Sequence, residues 1–259
     1  MNRLAQRLLF LGTLLAMVTA AFAADVDAFL AGTTRGCIEC DLSGRDLQDR
    51  NFQRSKLDRA NLKSANLART SLFRASLLRA DLAEANLSEA NLNLIDAKAA
   101  NFAGANLMQA LLFEADLSGA NLAGVNLKGA RASRARLTQA NLEGANLVLV
   151  DFRGARLAGA RLKGATMRGV ILSGLNLNGM DLRGIDFSLG DMVETDLSGA
   201  DLRDAQLAGV NLFGANLHEA DLRGANFEGA NLENASLSDA RTEGTSFEAA
   251  IMPNGRRAE

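Results

Sequence analysis

The chain has 259 residues, of which 48% are hydrophobic and 22% charged, with a formal net charge of −2, one proline and one histidine. So balanced a charge leaves no electrostatic footprint for nucleic acid, and a lone histidine leaves little for metal or general-base chemistry. With Pro253 the only proline, no interior proline-rich linker divides the chain, and one body is expected.

Residues 1–23 read as a secretory signal: Arg3 and Arg7, the apolar run Leu8 to Val18, then the small-x-small triplet Ala21-Phe22-Ala23. Cleavage is expected after Ala23, giving a mature chain from Ala24 in the periplasm or another exported location. The alternative is an uncleaved anchor helix, but the run is shorter than the roughly 20 residues a span requires, and no membrane span is expected after cleavage. Losing Arg3 and Arg7 takes the net charge from −2 to −4.

Residues 24–39 are expected to form an N-terminal cap. Asp25 or Asp27 can cap a short helix that Gly32 stops, and Val26, Phe29 and Leu30 then cover the first layer of whatever follows. Cys37 and Cys40 form a Cys-x-x-Cys pair. In an exported chain the oxidising compartment favours a disulfide between them. A redox-active pair or two reduced structural thiols are the other readings, and a metal site lacks further ligands because the only histidine is the distant His218.

From Cys40 to about residue 250 one five-residue frame runs without an insertion or deletion. Ala115 to Gly129 shows it in pure form: Ala-Asp-Leu-Ser-Gly, Ala-Asn-Leu-Ala-Gly, Val-Asn-Leu-Lys-Gly. Of 42 unit centres from Leu42 to Phe247, 31 are Leu and six are Phe, so the centre points into a continuous apolar core. The residue two before the centre is Ala in 26 units and also faces inward, where space is tight. The residue just before the centre is Asn or Asp in 28 units, and the last is Gly in 19, both turn chemistries. Two inward positions in five fit neither a helix of 3.6-residue period nor a long strand of period two. They fit a chain that turns a corner once per unit.

This frame resembles the pentapeptide-repeat family, whose units read Ala, Asp or Asn, Leu and two variable residues, over about four-fifths of the chain. The resemblance implies an all-β fold, a right-handed quadrilateral parallel β-helix in which four units make one coil. About ten coils over residues 40–250 follow, with residues 251–259 as a disordered tail. Ala97 and Ala132 are small centres, offset by Ile95, Phe102 and Phe152 nearby. Val170, Leu175, Met180 and Ile185 place large residues in four successive inward slots, so that coil is expected to be wider or differently turned, with the glycine series from Gly154 to Gly184 permitting it.

Residues twenty apart then share a face. The face centred on residues 52, 72 and 92 carries apolar outward residues in two groups, Phe73, Leu94, Leu111 and Phe113, then Ile171, Val193 and Phe213. Aligned apolar side chains of this kind mark partner sites unless they tuck along the surface. Between the groups lie Arg131, Arg134 and Arg153, with Arg136 and Arg156 on the adjacent face. These arginines read either as a solvated basic surface or as a docking site for an anion or acidic partner. Charge alternates along the chain: residues 131–185 hold nine basic and three acidic side chains, residues 186–248 three and thirteen.

No catalytic constellation, cofactor motif or metal-ligand set stands out, and a convex rod offers no water-excluding pocket. The expected function is a non-enzymatic rod binding a protein partner, or itself as a homodimer, through the apolar-and-arginine face. Some members of the family mimic DNA and occupy DNA gyrase; an export signal and mixed charge set this chain apart from them. A thiol-disulfide role for Cys37 and Cys40 is the one enzymatic alternative.

Overall fold

A computed structural model describes residues 26–259; the signal reading and the start of the cap at Ala24 and Asp25 lie outside the described residues. The backbone register explains the five-residue frame. Parallel bridges join each residue before a centre to the one twenty positions on, as in Asp41 with Asn61 and Asn61 with Asp81. Four units therefore make one circuit, and each circuit lies against the next. Within a unit, the centre's N–H donates to the carbonyl nineteen residues on, as Leu42 to Asn61 at 2.7 Å. The N–H two further along does the same, as Gly44 to Lys63 at 2.9 Å. These bonds satisfy the main chain between coils rather than along a strand.

The corner is a tight turn in which, for example, the Ala60 N–H donates to the Leu57 carbonyl at 3.1 Å. Its third residue has positive φ throughout the repeats, at glycines and at side chains such as Arg59 (56°) and Leu149 (61°) alike. A type II turn has this requirement, which accounts for the frequent glycine in the last slot. Asn or Asp before the centre serves twice. Its Oδ1 accepts the N–H two residues on, and an Asn Nδ2 donates to the same slot one coil earlier: Asn106 to Asn86 at 3.2 Å, Asn126 to Asn106 at 3.1 Å.

Inside, the centres and the small inward residues form one continuous core, with Leu62, Leu122 and Leu212 fully buried. The small centres Ala97 and Ala132 are buried beside Ile95, Phe102 and Phe152. Where Thr replaces Ala in the inward slot, its hydroxyl finds a core carbonyl: Thr70 Oγ1 donates to Leu47 and Thr195 Oγ1 to Leu172.

At the N-terminal end residues 26–30 form a short helix that closes at Gly32, with φ 74°. Val26 and Phe29 are buried, and the Phe29 ring stacks on Phe52 of the first coil at 4.8 Å. Arg50, whose slot normally holds an inward alanine, turns out and donates to the Leu30 carbonyl at 2.7 Å. The Cys37 and Cys40 sulfurs are 2.08 Å apart and both residues are buried. The last residues differ from the disordered tail expected. Ile251 pairs antiparallel with Arg257, and the Ala258 N–H donates to Ala250 at 2.8 Å, because a turn at Gly255 brings the chain back onto the final coil.

One junction departs from the ladder. No bridge joins Arg156 to Asn176 or Arg161 to Asp181. Among the described residues, the N–H groups of Gly154, Leu157, Gly159, Leu162 and Gly164 on one coil have no main-chain acceptor. Those of Asn176, Asp181 and Asp186 on the next are likewise unmatched. The opening lies where Leu175 and Met180 fill inward slots below Ala155 and Ala160. Ala155 is half-buried, and Ala160 and Met180 are less completely enclosed than the core elsewhere. The widening expected at this coil takes the form of a split between coils, in which the between-coil bonds give way beside the large inward residues Leu175 and Met180. The ladder resumes at Thr166 with Asp186 and Ile171 with Asp191.

Candidate interaction surface

The flat sides of the rod present the two variable slots and the slot before the centre. On the face centred on residues 72, 92 and 112, the predicted apolar residues divide. Phe113 and Phe213 are exposed, at 40% and 37%, while Phe73, Leu94, Leu111, Ile171 and Val193 are half-buried. With only two of the seven exposed, they do not form a uniform patch. The arginines follow the aromatics: the Arg74 guanidinium sits 5.2 Å from the Phe73 ring centroid and that of Arg134 5.8 Å from Phe113.

Ion pairing reduces the basic band. Arg134 meets Glu114 at 3.3 Å, Arg136 meets Asp116 at 3.5 Å, and Arg161 meets Glu143 at 3.3 Å. Arg153 forks onto Asp151, with Nε to Oδ1 at 3.0 Å and Nη2 to Oδ2 at 2.7 Å. That contact holds the Asp151 carboxyl below its ordinary range. Asp116 is also lowered: burial pushes it up, but the Ser118 hydroxyl and Lys98 together outweigh that. Arg131 and Arg156 have no carboxylate partner among the described residues. Arg156 stacks beneath Arg136 through a parallel bridge and stands on the lip of the split.

The sequence reading missed the most exposed large apolar residues, Leu149 at 58% and Leu189 at 60%. Both occupy the last slot on the neighbouring face, where φ is 61° and the turn aims the side chain outward. Each lies over the next coil's glycine: a Cβ at Gly169 would meet Leu149 Cδ2 at 2.7 Å, and one at Gly209 would meet Leu189 Cδ2 at 3.0 Å. The signal was available in principle, since a leucine in a slot selected for glycine cannot turn into the core.

Chemically the described surface is sparse. No three His, Cys, Asp or Glu side chains gather as a metal site among the described residues. The His218 Nδ1 reaches Ser238 Oγ at 3.0 Å, but Glu219 and Asp239 stand 3.6 Å from the ring, beyond hydrogen-bond reach, and the group is open to solvent. No helix among the described residues is long and apolar enough to cross a membrane.

The pattern that builds this surface is shared. The family model described as pentapeptide repeats matches in eight copies over residues 37–72, 75–112, 115–154, 151–188 and 191–229. No curated protein matches the chain. Among solved structures, the chain is similar to HetL, a pentapeptide repeat protein involved in heterocyst differentiation regulation from the cyanobacterium Nostoc sp. Strain PCC 7120. Identity is 27%, over 90% of this chain and 98% of that one, with a TM-score of 0.48. It is similar to Rfr23 from the cyanobacterium Cyanothece 51142 at 29% identity, over 55% and 92% of the two chains, with a TM-score of 0.21. It also resembles QnrB1, a plasmid-mediated fluoroquinolone resistance protein, at 19% identity over 81% and 90%, with a TM-score of 0.32. The twenty-residue register, the inward leucines and the matched repeats agree: the chain belongs to the pentapeptide repeat family, with the right-handed β-helix solenoid that those repeats imply.

Proposed function

We infer that the protein is an exported, non-enzymatic interaction module, a rigid rod that binds a protein partner through the face bearing Phe113 and Phe213 with Arg131, Arg134 and Arg153. The observation supporting this is the Arg134 guanidinium over the exposed Phe113 ring, which places an aromatic and a cation side by side on a flat surface. Residues 1–23 direct export, the mature chain begins at Ala24, and Cys37 and Cys40 form a disulfide that fixes the cap to the first coil. The DNA-mimic alternative gains nothing on the face centred on Leu182, Leu202 and Leu222, where Asp181, Asp201 and Asp221 are each paired to an arginine at 2.6 Å.

The test is a crosslinking pull-down with the mature protein against proteins of its own compartment, compared with Phe113→Glu combined with Phe213→Glu. Capture by the wild type and loss of about tenfold or more in the double variant is the expected result. Undiminished capture by the variant removes this surface from the function. A light-scattering mass of two copies that falls to one in the variant identifies the partner as a second copy of the chain.

A further inference from the structure

The split between the coils containing Arg156 and Asn176 is a place where the rod leaves its own main chain unmatched. Each lip offers both kinds of group. The upper coil presents the N–H groups of Leu157, Gly159 and Leu162 and the carbonyls of Ala155 and Ala160, whose expected partners, the Asn176 and Asp181 N–H groups, do not reach them. The lower coil presents those N–H groups with its own unmatched carbonyls. A bare anion fits donors alone and is repelled by carbonyls; donors and acceptors interleaved on one edge match another polypeptide main chain. Between residues 159–163 of one lip and 178–181 of the other the split forms a cavity of about 380 Å³ lined in part by Ala160, Leu162 and Met180, within the size range of small-molecule sites. Its floor is therefore core hydrocarbon, suited to one face of an extended peptide.

Charge selects among peptides. Arg161 and Asp181 at the rim are occupied by Glu143 and Arg183. Lys163 in the lining and Arg156 on the lip have no carboxylate partner among the described residues, and the residues opposite Arg156 are the neutral Asn176 and Asn178. The unbalanced charge at the opening is positive.

We propose that this split is a docking site for an extended acidic segment of a partner protein, which adds its main chain to the open lips and places alternate side chains on the apolar floor and toward Arg156 and Lys163. The inference does not rest on the Phe113 face: Phe113→Glu with Phe213→Glu is expected to leave it intact, so the two readings fail separately.

The experiment uses the mature protein and two labelled octapeptides, one alternating Glu and Val, the other Lys and Val, read by fluorescence anisotropy and by hydrogen exchange. Saturable binding of the Glu/Val peptide, about tenfold or more tighter than Lys/Val, is expected. The Leu157, Gly159 and Leu162 amides, which have no main-chain acceptor in the free protein, should become protected when it binds. Leu175→Ala with Met180→Ala removes the bulk that holds the lips apart and should weaken binding by about tenfold. Arg156→Glu with Lys163→Glu, a surface change that spares the core, should reverse the peptide preference. Absence of saturable binding, or binding that leaves those amides unprotected, overturns the proposal. Equal affinity for both peptides overturns its acidic partner, and protection of the same amides by inorganic phosphate alone overturns its peptide.

Discussion

A side chain in the last slot of a unit is held at positive φ, a conformation that glycine adopts freely and that costs other residues of order 1 kcal/mol or more. The fold tolerates many such residues because each turn is fixed from both sides by between-coil hydrogen bonds. Elsewhere glycine answers a different constraint. Gly190 fills an inward slot where alanine is the rule, yet a Cβ there would lie 2.8 Å from the Phe187 carbonyl oxygen and 3.3 Å from that of Val170. Gly190→Ala, a change toward the repeat's own consensus, should therefore destabilise the protein by about 2 kcal/mol, measured as a lower Tm by circular dichroism. Since the closest atom belongs to the main chain of Phe187, adding Val170→Ala should not restore the loss. The inward positions are legible in the sequence because one residue type recurs at each. The ionic partners are less so: Arg153 forks onto Asp151 in its own unit while Arg134 reaches Glu114 a coil away. Side-chain reach, which the frame leaves open, decides between them.

Along one face the charges assemble into an element of their own. Arg183, Arg203 and Arg223 each grip the aspartate two residues earlier, and Arg183 and Arg203 lean toward the aspartate of the next coil at 3.5 and 3.8 Å. Asp221 ends the ladder between Arg223 and Arg241, and the Arg223 side chain, its strongest influence, lowers its pKa from 3.8 to about 2. A carboxylate depressed on folding stabilises the protein fully above pH 3.8, and that stabilisation is lost as pH falls through about 2. Melting temperature should thus decline between about pH 4 and pH 2, with Asp221 contributing of order 1 kcal/mol after solvent screening. Arg223→Gln should flatten that decline in a pH series of thermal melts; an unchanged slope would separate Asp221 from acid stability. Large inward residues from Val170 to Ile185 marked the unusual coil, but bulk can be met by widening, repacking or separation. Gly190 beneath Val170 relieves one corner, while Leu175 and Met180 meet no such relief and the ladder opens there.

In a solenoid each coil contacts only its neighbours, so cooperativity is carried junction by junction. Most junctions here combine a continuous core with three between-coil hydrogen bonds per unit, each contributing about 1 kcal/mol net. At the split most of those bonds are missing while the core continues through Leu157, Leu177 and Leu182. The rod is thereby two blocks joined by an interface weakened on two of its sides. The N-terminal block is covered by the residue 26–30 helix, with Phe29 and Phe52 stacked; the last coil ends with Leu237 and Phe247 only partly buried. The block beyond the split should therefore unfold first. Urea titration followed by hydrogen exchange is expected to show two transitions, amides from about residue 175 onward losing protection at lower urea than those between Leu42 and Leu147. Gly190→Ala should shift only the first transition. One sharp transition in which both blocks lose protection together would mean that the continuous core couples them despite the broken ladder.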